Sequence, residues 1–63
     1  GDRADGRLLD AVGRLCADGR PHPLDSLDRC GLSEEAARRT LARLAAEGLI
    51  HLADDGTVRP AAG

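Results

Sequence analysis

The sequence predicts a mainly α fold carrying a small antiparallel sheet. It comprises three helices, a short edge strand near residues 20–23 and a closing β-hairpin. Three observations carry this reading. Apolar residues recur at helical spacing between Leu8 and Cys16, and again between Ala37 and Ala45. After Gly48 the period becomes that of a strand, and Asp55-Gly56 supplies a tight-turn dipeptide. Two prolines, Pro21 and Pro23, flank a single histidine in the first connection.

Residues 1–6, Gly1 to Gly6, read as a linker or cloning remnant that fades into a helix. Leu8, Leu9, Val12, Leu15 and Cys16 then form one apolar stripe, with Asp10, Arg14 and Asp18 off it. The first helix is placed at roughly 5–18. Gly19 permits its stop and Pro21 forbids its continuation. The residue before a proline is pushed out of the α region, so Arg20 to Pro23 is extended. His22 is read as pairing with the strand around Val58, while both prolines face solvent and blunt the edge.

Pro23 suits the first turn of a second helix. Leu24, Leu27 and Cys30 form its apolar face and Gly31 ends it. Leu32 is a buried link. Ser33 caps the third helix, with Glu34 and Glu35 in a first turn that favours negative charge. That helix runs to Glu47, with Ala37, Leu41, Leu44 and Ala45 inward. Glu35, Arg39, Ala42, Arg43 and Ala46 lie opposite. Leu49 to Ala53 and Thr57 to Arg59 are the hairpin strands, with Leu52 opposite Val58. Pro60 stops the second, and residues 61–63 are a tail.

Sixty-three residues suffice for one domain. A chain this short buries only about 60% of the surface its unfolded form exposes. Without Phe, Tyr, Trp or Met, its core rests on Leu, Val, Ile, Ala and Cys. Such a core contributes at most roughly 3–5 kcal/mol. No apolar run approaches the length of a membrane span, and no signal peptide is evident, so a cytoplasmic domain is expected. Two cysteines are too few for a disulfide framework. Cys16, Cys30, His22 and His51 lack the spacing of a zinc set. The thiols are expected to be reduced, mostly buried apolar groups. There is no phosphate-cradling glycine loop, and neither histidine has a nucleophile partner. No enzyme activity, catalytic residue, metal, cofactor or small-molecule substrate is expected.

Residues 8–60 resemble a bacterial winged helix-turn-helix domain. The pieces that carry the resemblance are Gly31-Leu32-Ser33, the run Leu44-Ala45-Ala46-Glu47-Gly48-Leu49-Ile50 and the Asp55-Gly56 hairpin. Residues 7–60 would be the domain. The resemblance implies that the third helix enters a major groove and that the hairpin is the wing. It makes Ser33, Glu35, Arg38, Arg39, Ala42 and Arg43 the DNA-contact candidates, with Arg59 reaching phosphate from the wing. Within the fold the chain looks like the C-terminal winged helix of the DNA-processing protein A family, which acts in natural transformation and recombination, and regulator-type and biotin-repressor-type winged helices stay open beside it. The helix Tyr and wing Trp of the Z-DNA-binding relatives are absent, so the resemblance does not extend to Z-DNA recognition.

The charges are less favourable to that function. All nine basic residues are Arg, and the formal net charge is -2, whereas duplex binders usually carry a basic surface. On the third helix Arg38, Arg39 and Arg43 are offset by Glu34, Glu35 and Glu47, and the turn carries Asp54 and Asp55. Glu34–Arg38 and Glu35–Arg39 have the favoured i,i+4 orientation, which also describes a merely solvated face. Two expectations follow. One is an accessory domain of a larger bacterial DNA-metabolism or regulatory protein, touching DNA weakly. The other is a protein-interaction or dimerisation module that keeps the fold without binding duplex. The partners are accordingly weakly bound DNA or a protein, together with the rest of the parent chain, and no membrane.

Overall fold

The structure, a computed structural model, describes residues 2–61. Of the expected linker and tail, residue 1 and residues 62 and 63 lie outside the described residues. Two α-helices pack against a three-stranded antiparallel sheet in the order β1-β3-β2. The architecture is therefore a small mixed α/β domain, and the expected three helices with a hairpin wing are corrected to two helices and three strands.

Helix α1 spans Asp2–Leu15, so it begins earlier and ends earlier than the apolar stripe alone suggests. Leu8, Ala11 and Val12 are buried, and Leu9 and Leu15 pack partly against them. Cys16 continues the buried line just beyond the last turn. Gly19, at φ 78, takes the left-handed conformation that lets the chain leave. Strand β1, His22–Pro23, then pairs with β3, placing His22 opposite Val58. This is the pairing that the two prolines suggest, and both are exposed.

The second helix does not form. Only a single 3-10 turn, Leu24–Ser26, stands where Pro23 to Cys30 was expected to be helical. Leu27 is already extended, at ψ 135. The Asp28 carboxylate then accepts the Cys30 N–H at 2.8 Å. That Asx turn gives the backbone a local alternative to a helical bond. Cys30 and Gly31 follow in the left-handed region, at φ 55 and φ 84. A segment this short, bounded by Pro23 and Gly31 and carrying two Asp and a Ser, pays the nucleation cost of a helix with few bonds to repay it. Leu27 is nonetheless buried, with Leu24 and Cys30 half-buried, so the apolar spacing marks core contacts rather than a helix. Cys30 is less covered than expected.

Helix α2, Glu34–Ala46, is the expected third helix. Ser33 Oγ accepts the Ala36 N–H at 3.1 Å, which satisfies one of the unpaired donors at the helix start. At its end Gly48, at φ 81, donates to the Ala45 carbonyl, and the Leu49 N–H donates to that of Leu44. These two bonds form a Schellman stop. Ala37, Leu41 and Leu44 are buried. Strands β2, Ile50–Leu52, and β3, Thr57–Pro60, close the hairpin with Leu52 opposite Val58. Gly56, at φ 86, donates to the Ala53 carbonyl and completes the turn. Pro60 is tolerated in the central strand because β1 ends before reaching it.

Leu8, Val12, Cys16, Leu27, Leu41, Leu44, Ile50 and Val58 meet between the helices and the sheet. Among the described residues no polar or charged side chain is buried.

Candidate nucleic-acid interface

Helix α2 holds five of the seven residues singled out from the sequence, Ser33 caps it, and β3 holds the seventh. Ser33 is the helix cap, with its oxygen engaged by the Ala36 N–H. Along the helix, Arg38 lies 3.3 Å from Glu34, and Arg39 lies 3.2 Å from Glu35. The Arg38 and Arg39 side chains are 71% and 75% exposed, and Ala42 is exposed beside them. Exposed pairs of this kind contribute about 0–1 kcal/mol, so the glutamates hold the guanidinium groups only loosely.

Arg43 behaves differently. Its guanidinium reaches across to the Asp5 carboxylate on α1, and Asp5 is 23% exposed. This contact ties the N-terminal turns of α1 to the last turn of α2. It draws Arg43 away from the role of a free phosphate ligand. Asp5 lay in the segment read as linker, and a partnership across 38 positions leaves no mark in local sequence.

Arg59 is exposed on β3, opposite the exposed His51 on β2. At the turn beyond it, Asp55 accepts both the Thr57 N–H at 3.0 Å and the Thr57 hydroxyl at 2.6 Å. The Thr57 hydroxyl, then its N–H, hold the Asp55 carboxyl below its ordinary value. The turn thus keeps a firmly ionised carboxylate where a phosphate-contacting wing would need a cation. On edge strand β1, His22 Nε2 lies 3.0 and 3.1 Å from the two Asp18 oxygens. The histidine hydrogen bond, followed by the Arg20 N–H, lowers the Asp18 carboxyl in turn.

A groove of about 250 Å³ runs between α2 and the segment that replaced the second helix. Leu24, Leu27, Ala37 and Leu41 line it, and Arg29 and Arg38 stand among its walls. Sequence spacing does not bring Arg29 to this groove, because Arg29 lies on a loop where the spacing predicts a helix. No group of three or more His, Cys, Asp or Glu side chains gathers as a metal set among the described residues. None of their helices is long and apolar enough to cross a membrane.

The chain was compared with family models, with curated proteins and with solved structures, and it matches none of them.

Proposed function

We propose that this domain is an accessory module of a larger bacterial DNA-metabolism or regulatory protein, of the DNA-processing protein A type, and that it touches DNA weakly through the outer face of α2. The observation that carries the reading is the solvent-facing pair Arg38 and Arg39, each paired, among the described residues, with a glutamate of its own helix. Phosphate oxygens compete well for such loosely held guanidinium groups. Arg59, on β3, is exposed as well. Without a full helix before α2, the helix pair that would seat it deep in a major groove is not formed. The contact is therefore with the phosphate backbone and carries little sequence preference. A parent that handles DNA implies a cytoplasmic location.

A second reading, a protein-interaction or dimerisation module, is favoured by a specific observation. Arg43 is engaged by Asp5, and the turn of the hairpin is acidic. Titration of fluorescein-labelled duplex and single strand at several salt concentrations separates the two. The DNA reading expects a dissociation constant no tighter than roughly 1–10 µM near physiological salt, with a shallow salt slope. Arg38→Ala with Arg39→Ala should abolish binding, and Glu35→Gln should strengthen it by freeing Arg39. Absence of binding even at low salt sinks the DNA reading in favour of the second. Nanomolar, sequence-specific binding overturns the charge argument instead.

A further inference from the structure

The three arginines of α2 are not held alike. Arg38 and Arg39 each pair with a glutamate one turn earlier on the same helix. Arg43 pairs instead with Asp5 of α1. Arg43 follows Arg39 by four positions, so the two share one side of α2. The exposed Ala42 puts no bulk beside them. What turns Arg43 away from its neighbours is a carboxylate on another helix.

The Asp5 pair is also the hardest of the three to displace. The Asp5 side chain is 23% exposed, against 66% and 81% for Glu34 and Glu35. Water and salt screen a half-buried carboxylate less, so it attracts a guanidinium more strongly. Asp is also shorter than Glu and loses less rotamer freedom when held. A phosphate approaching the outer face of α2 therefore competes readily for Arg38 and Arg39. It takes Arg43 only by leaving a half-buried carboxylate without its partner. We propose that Arg43 is a further phosphate ligand of this face, withheld by Asp5, so that Asp5 sets how many contacts the domain makes with DNA. This masking presupposes the DNA contact of α2 proposed above, and Asp5 acts on it from α1 without touching the ligand.

The test is a salt-dependent titration of fluorescein-labelled duplex with the whole domain and its variants. Asp5→Ala should bind about threefold or more tighter than the parent, and its plot of log affinity against log salt should steepen by about 0.9, as for one more neutralised phosphate. Asp10→Ala removes the same charge from the same helix, at an exposed position outside the ion pairs among the described residues. It should leave the slope unchanged. Arg43→Ala should barely weaken the parent, whose Arg43 is engaged, yet should cancel the whole gain in the Asp5→Ala background. If lost amide dispersion shows Asp5→Ala to be unfolded, Asp5→Asn keeps the shape, drops the charge and carries the same expectations. An unchanged slope in Asp5→Ala, or an equal steepening in Asp10→Ala, overturns the masking while the DNA reading stands. So does an Arg43→Ala variant that weakens the parent as much as it weakens Asp5→Ala. Binding that appears only once Asp5 is replaced supports the masking. Absence of binding by every variant even at low salt sinks the DNA reading, and the masking with it.

Discussion

At the scale of single residues, the two thiols show how position changes chemistry. Cys16 is 5% exposed, and its Sγ donates to the Val58 carbonyl at 3.2 Å. Burial pushes its thiol up, so little thiolate forms near neutrality. Cys30 is half-buried on a loop. Alkylation followed by mass spectrometry should therefore modify Cys30 first, with Cys16 reacting only at the rate of unfolding; equal rates would contradict the burial. Cys16→Ser should cost only about 1 kcal/mol, because the Val58 carbonyl gives the new hydroxyl an acceptor. A second residue-scale effect is pH dependence. The native Asp55 carboxyl lies below its unfolded value, so its contribution is fully present above about pH 4 and is lost as pH falls through the native value. Asp55→Asn keeps an acceptor for Thr57 but does not titrate. Thermal melts of this variant should fall less steeply with acidification than those of the parent.

At the scale of elements, α1 carries two glycines that its geometry does not need. Gly6 and Gly13 lie inside the helix, and a Cβ built at either meets nothing within 4 Å. Gly13→Ala should stabilise the domain by about 0.5–1 kcal/mol through helix propensity and a less flexible unfolded chain. The midpoint of urea unfolding should rise accordingly. The same substitution at Gly48 or Gly56 should destabilise, since both have φ above 80. The segment after β1 shows the opposite balance. There the Asp28 turn and two left-handed residues outweigh the helical spacing of Leu24, Leu27 and Cys30.

At the scale of the whole molecule, one small core has little to spare. Leu44 is 1% exposed and sits where α2 meets the sheet. Leu44→Ala should cost about 2–5 kcal/mol, against a total of at most roughly 3–5 kcal/mol for a domain this size. Much of the sample should then be unfolded at 25 °C, visible as lost amide dispersion. Leu49→Ala, at an exposed position, should fold normally. The Arg43–Asp5 contact matters at this scale too, because it joins the two helices outside the core.

The sequence alone determined α1 and α2 as helices, the Ser33 cap, the Gly48 stop, the hairpin with Leu52 opposite Val58, and His22 as the edge-strand partner of Val58. All but the His22–Val58 pairing are local signals: a period, a cap or a turn dipeptide acts within a few residues, and nothing distant opposes it; that pairing is read from the prolines and the order of the elements. Tertiary structure decided the rest. Whether Leu24, Leu27 and Cys30 reach the core from a helix or from a turn and loop cannot be read from their spacing, because both routes bury the same side chains. The fate of the helix arginines was likewise nonlocal. The pairs of Arg38 and Arg39 lie within one helix and follow from i,i+4 geometry. The partner of Arg43 lies on another helix and exists only because α1 and α2 pack side by side. Charge on a folded surface is a property of neighbours in space, and the sequence orders neighbours only along the chain.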